Sequence, residues 1–135
     1  MKAVLTPEDL KRGDLVEPGW YEAIIAKYEE AVTKGTKEKP SDGSTNAIFT
    51  IKLDEGPNKG AEMKRYFNEK ALAFGKNLYA ALGFPKNALG GYDVDSELFK
   101  RTEGAKLQVY VKRGVNSDNG KEFNEVADYR PSKLV

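Results

Sequence analysis

Five segments in which apolar and polar residues alternate, and one stretch of helical period between the third and fourth of them, predict an all-β domain with a single helix. The size agrees. At 135 residues, 39% of them hydrophobic, the chain holds one core and can bury about 70% of its unfolded surface without staples.

Thr6-Pro7-Glu8-Asp9 reads as a helix cap followed by proline in the first turn, but Gly13 and Pro18-Gly19 stop it early, leaving a short arm. From Trp20, the residues Tyr21, Ala23 and Ile25 alternate with Glu22 and Ile24, the period of a strand, although Glu29-Glu30-Ala31 leans toward helix. Residues 35–45, rich in Gly, Pro, Ser and Lys, read as a mobile loop. In the second strand Phe49, Ile51 and Leu53 alternate with Ile48, Thr50 and Lys52, and a third strand follows the turn before Glu62. Across residues 69–82, Ala71, Phe74, Gly75, Leu78 and Leu82 share one helical face, with Gly83 as the stop. A polar stretch then leads to a fourth strand carrying Leu107, Val109 and Val111 on one side, and Asn119-Gly120 turns the chain into a fifth strand ending at Pro131.

Strand, strand, strand, helix, strand, strand is the element order of the OB-fold, so the expectation is a five-stranded OB-fold-like barrel with its helix between strands 3 and 4. The alternative is an unrelated α+β domain with the same element order. Residues 1–18 are then an N-terminal arm, 19–131 the domain and 132–135 a tail.

Composition excludes more chemistry than it suggests. With no cysteine and no histidine, disulfides, thiolate metal sites, cysteine nucleophiles and the commonest general base are all missing. Asp93, Asp95 and Glu97 do not have the spacing of a calcium loop, and Gly90-Gly91 lacks the Lys-Ser/Thr of a phosphate loop. No apolar run approaches a membrane span or a signal core, so a cytoplasmic protein is expected. The net charge is only +1, yet it is segregated: residues 1–33 carry −3, residues 34–76 carry +3 and residues 100–121 carry +4.

On the second strand the alternation sends Ile48, Thr50 and Lys52 outward; on the third, Lys64 and Tyr66; on the fourth, Gln108, Tyr110 and Lys112. Aromatic rings beside lysines suit single-stranded nucleic acid, because unpaired bases stack on the rings while cations follow the phosphates. In an OB-fold the first-second and fourth-fifth connections flank the ligand groove. They would bring Lys34, Lys37 and Lys39 together with Arg113 and Lys121. The plainer reading makes Tyr66 and Tyr110 ordinary surface tyrosines in cross-strand pairs. Trp20, opening a strand, reads first as a plug at the barrel's end and otherwise, with Tyr28, as an extension of the stacking platform.

The runs VEPGWYEAII and FNEKALAFGKNLYAALGF and the ending NEVADYRP together resemble small OB-fold-like proteins of bacteriophage replication and recombination gene clusters. The likeness spans roughly residues 16–131. It implies an accessory protein that binds single-stranded DNA, is no enzyme, needs no cofactor and acts in the host cytoplasm beside replication or recombination proteins. Many single-strand-binding proteins end in an acidic tail that recruits partners. Here the chain ends Arg130-Pro131-Ser132-Lys133-Leu134-Val135, so recruitment of that kind is not expected. The alternative is a small module that docks a replication or recombination partner through a strand edge without touching nucleic acid.

Overall fold

The structure, a computed structural model, describes residues 1–133; the last two residues of the expected tail lie outside them. Five strands form one antiparallel sheet: β1 (Gly19–Val32), β2 (Thr45–Leu53), β3 (Glu62–Asn68), β4 (Lys106–Val115) and β5 (Glu122–Pro131), in the order β3-β2-β1-β4-β5. The long central strand pairs with β2 from Ala23 to Val32 and with β4 from Gly19 to Ile24. An extra residue between Ile25 and Lys27 breaks its register, so the buried side chains run Ala23, Ile25 and then Tyr28. That slip absorbs Glu29-Glu30-Ala31 into the strand despite their helical leaning.

The expected barrel is not closed. Strands β3 and β5 are the edges of the sheet, with no ladder between them among the described residues. The helical segment that follows β3 packs against β5, and the edges meet through side chains, Arg65 Nε donating to the Tyr129 oxygen at 3.0 Å.

One face carries the core. Phe49, Ile25, Ile51, Leu53, Leu107, Val109, Val111 and Val126 are fully buried. Around Phe49 sit the rings of Tyr28, Phe67 and Phe99, with centroids 5.1 to 6.1 Å away, at tilted or edge-on angles that suit aromatic quadrupoles. Tyr28 therefore belongs to the core and not to a stacking platform.

The residues 69–82 form no continuous helix. A 3₁₀ segment, Glu69–Gly75, opens on the Asn68 side chain and is broken at Ala71, and only Lys76–Ala81 (α2; the N-terminal Pro7–Lys11 is α1) is α-helical. Phe74, placed on the apolar face by its spacing, is 82% exposed. Tyr79 takes the interior position instead, its hydroxyl donating to the Leu72 carbonyl at 2.6 Å and its ring stacking with Phe84 and Phe99. A short helix that the polar appearance of the segment hides, α3 (Ser96–Lys100), is capped by the Asp95 carboxylate accepting from Leu98 N at 2.8 Å and delivers Phe99 to the core.

The N-terminal arm is bound to the domain. Thr6 and Asp9 exchange capping hydrogen bonds around α1, Glu62 N donates to Arg12 O at 2.9 Å, and Val16 is fully buried with its N–H on Asn124 Oδ1. Gly60, at φ +99°, lies so close to Glu8 that a Cβ would come within 2.8 Å of it, so the arm seats only on glycine.

Candidate nucleic-acid interface

Alternation places the site residues on the solvent face of the sheet. Met63 and Phe67 are buried and Lys64 and Tyr66 exposed; Leu107, Val109 and Val111 are buried and Lys112 is exposed, with Tyr110 half-buried on the same outward side. Ile48 and Thr50 also point outward yet are buried. By register they lie between Glu29 and Lys27 on one side and Tyr66 and Lys64 on the other. Glu29 takes ion pairs from Lys27 at 3.4 Å and Lys64 at 3.5 Å, so the bridge to Lys64 crosses β2 and its stems cover the strand.

Carboxylates neutralise half of the expected phosphate-binding cations, Lys64 through Glu29 among them. Lys52 pairs with Glu8 at 3.1 Å, Lys112 with Glu125 at 3.8 Å, and Arg113 with Glu17 and Glu122 at 3.4 and 3.9 Å. The hydrogen bond from Lys52 holds the Glu8 carboxyl below the usual range. Lys34, Lys37, Lys39 and Lys121 are exposed and make no ion pair among the described residues.

The two basic loops do not meet. Because β4 runs antiparallel to β1, the turn holding Lys121 lies beyond Gly19, whereas Lys34, Lys37 and Lys39 follow Val32 at the other end of the strand. The first loop carries its own hydrogen bonds: Thr33 N to Ser44 O and Thr36 N to Lys39 O, both 2.8 Å, with Lys70 Nζ on Asp42 at 2.7 Å and Asn68 Nδ2 on Ser44 Oγ at 2.8 Å. Gly35 lies against the Pro40-Ser41 backbone, where a Cβ would come within 2.1 Å of Ser41 N. The hydroxyls and carboxylate that made this segment look like open loop are what fold it back on itself.

A concentrated site lies where β1, β4 and β5 adjoin. Trp20, half-buried, faces Tyr110 across the β1–β4 ladder, the two rings 5.5 Å apart and edge-to-face at 72°. The Arg130 guanidinium sits 4.1 Å above the Trp20 ring. A polar chain holds it there: Arg130 Nε donates to Gln108 Oε1, and Gln108 Nε2 donates to Glu22 Oε2. The amide is thereby fixed in orientation, nitrogen to the carboxylate and oxygen to the cation. Among the described residues Arg130 has no carboxylate partner, and neither does Lys106, across from Ile24 on the same face.

Trp20 thus lies on the outward face, not at the end of a barrel. Arg130 escaped the sequence reading although its position carried a signal: in the fifth strand it falls on the side opposite Tyr129, cross-strand from Gln108. A register shift at Tyr110/Val111 displaces the simple alternation one would have counted.

Glu22 is the buried end of that chain, accepting from Gln108, from Ser132 Oγ and, at 3.3 Å, from Lys133 N. Burial by itself raises its pKa, and the donated hydrogen bonds outweigh that, so the carboxyl stays below its ordinary value of 4.5. A folded-state pKa below the unfolded one contributes stability that is present above the unfolded value and lost as pH falls through the folded one. Thermal melts from pH 7 down to pH 3 should therefore show a loss below about pH 5 that is smaller in Glu22→Gln than in the native protein. Parallel curves would remove Glu22 from the acid response.

The remaining carboxylates singled out in the sequence have structural partners: Asp93 accepts from Asn87 at 3.1 Å, Asp95 caps α3 and Glu97 pairs with Arg101.

No curated protein matches the chain. Residues 7–134 match a family described as "Protein of unknown function (DUF669)", and the chain, matched over nearly all of its length, belongs to that family.

Proposed function

We propose that this chain is a non-catalytic single-stranded-DNA-binding protein that uses the outward face of β1, β4 and β5, on a sheet that is an opened form of the OB-fold. Support for the fold reading is the central β1 between β2 and β4, the outer β3 and β5, and the helical segment between the third and fourth strands. The observation that carries the function is the set Trp20, Tyr110 and Arg130: two aromatic rings on the solvent side of a sheet, with a guanidinium that no carboxylate among the described residues neutralises. Bases stack on rings of this kind with little regard to sequence, and the cation follows the phosphates. Lys106, Lys34, Lys37, Lys39 and Lys121 add charge that no ion pair among the described residues cancels. Tyr66 offers a separate stacking ring, and Lys52, Lys64, Lys112 and Arg113 contribute only by exchanging a carboxylate for a phosphate. The setting in phage replication or recombination, in the host cytoplasm and beside proteins of those processes, rests on the resemblance of the sequence.

Fluorescence anisotropy with a labelled single strand and its matched duplex, at two salt concentrations, tests this. The single strand should bind the more tightly, since duplex bases hide their faces, and its affinity should fall with salt by the release of a few counterions. Equal affinity for both forms, or no dependence on salt, would contradict it. A docking module for a protein partner is the second reading. It is favoured by the neutralised strand lysines and by an apolar groove of about 390 Å³, lined by Leu72, Tyr79, Tyr92 and Val94, beside exposed Phe74.

A further inference from the structure

The Trp20 ring is the best stacking surface on the proposed face, and it is already covered. Arg130 lies 4.1 Å over it, close enough to exclude a base from that side of the indole. The cover is held by one hydrogen bond, from Nε to the neutral Gln108 oxygen. The two terminal nitrogens of the guanidinium have no carboxylate among the described residues. Other cations of this sheet face, Lys52, Lys64 and Lys112, are each tied to a carboxylate. Arg130 is thus a charged group whose phosphate-binding fork meets no carboxylate among the described residues, parked on an aromatic face.

We propose that Trp20 and Arg130 form a binding site for one nucleotide unit of a single strand, in which the base displaces the guanidinium from the indole and the guanidinium swings onto the adjoining phosphate. The exchange is matched in kind. The indole trades a cation–π contact for a stacked base, and Arg130 trades the same contact for a charge-assisted pair with a phosphate. Gln108, anchored on Glu22, sets the resting position and limits how far Arg130 moves. This assignment rests on the single-strand-binding reading and specifies how one of its sites opens.

The chain has one tryptophan, so indole emission reports this site alone, while anisotropy of a labelled oligothymidylate reports binding anywhere. The native protein should show quenched indole emission on titration. Arg130→Ala should shift the emission of the free protein to the red by uncovering the ring. It should also lower the slope of log affinity against log salt by about 0.7, one single-strand phosphate contact, so that the variant binds the more tightly at high salt. Arg130→Lys, which keeps the charge, should keep the native slope, and it guards against a folding defect in the alanine variant; thermal melts check both. Binding by anisotropy with unchanged indole emission overturns the site while leaving the single-strand reading in place. An Arg130→Ala protein that is weaker at every salt concentration with the native slope makes Arg130 a fixed part of the stack and also overturns it. Failure of the native protein to change the anisotropy overturns the single-strand reading and this site with it.

Discussion

Phe49→Ala is expected to destabilise the protein by about 3–5 kcal/mol, the range for removing a fully enclosed aromatic side chain. Phe49 is wholly inaccessible to solvent and is ringed by Tyr28, Phe67 and Phe99. These neighbours come from β1, β3 and α3, so the cavity cannot collapse by shifting one element. Against a total stability of roughly 5–15 kcal/mol for a domain, the loss should lower the melting temperature by on the order of 10 °C or more. Phe74→Ala is the contrast. Its ring is 82% exposed, and removing it should change stability by no more than about 0.5 kcal/mol. Denaturant titration of the two variants checks both values. A large loss at Phe74 with a small one at Phe49 would mean that the helical spacing of residues 69–82, and not the broken 3₁₀ and α segment, describes the folded protein.

Trp20→Ala should weaken single-strand binding by about 1–3 kcal/mol, the value of one base stacked on an aromatic ring, or roughly five-fold to more than a hundred-fold in affinity. The salt slope should stay unchanged, because no phosphate contact is lost. Tyr110→Ala should act in the same direction, since its ring holds Trp20 edge-on. Tyr66→Ala tests the extent of the surface. Its row crosses β1 at Glu29, about 30 Å along the strand from Trp20 at 3.3 Å per residue. A short oligonucleotide seated on Trp20 should therefore be insensitive to Tyr66, and a longer one sensitive. Full binding by Trp20→Ala at intact melting temperature would move the stacking surface elsewhere.

The strands were legible in the sequence because period-two alternation survives wherever one face is buried, as in Phe49-Thr50-Ile51 and Leu107-Gln108-Val109. The inward and outward sides of β3 and β4 followed from the same rule. Residues 69–82 misled because their apolar spacing is helical, whereas the interior position went to Tyr79, whose polar hydroxyl is satisfied by a carbonyl seven residues back. No local pattern encodes such a contact. Helix α3 was hidden by its polar neighbours, although Asp95 ahead of Leu98-Phe99 is a capping arrangement. Closure of the sheet was not legible, since it depends on whether β3 and β5 find a ladder or meet through side chains such as Arg65 and Tyr129. The site was half legible. Tyr110 could be placed by alternation, but the cancellation of Lys64 by Glu29 and of Lys52 by Glu8 joins residues far apart in the chain. The union of Trp20 with Arg130 depends on β1, β4 and β5 lying side by side.

A two-dimensional ¹H–¹⁵N NMR titration with a short oligothymidylate reads where a single strand sits. Shifts should concentrate at the Trp20 indole N–H, the Gln108 side-chain amide and the backbone amides of Tyr110 and Arg130. Shifts confined to the neighbourhood of Phe74 and Tyr92, or none at oligonucleotide excess, would contradict it.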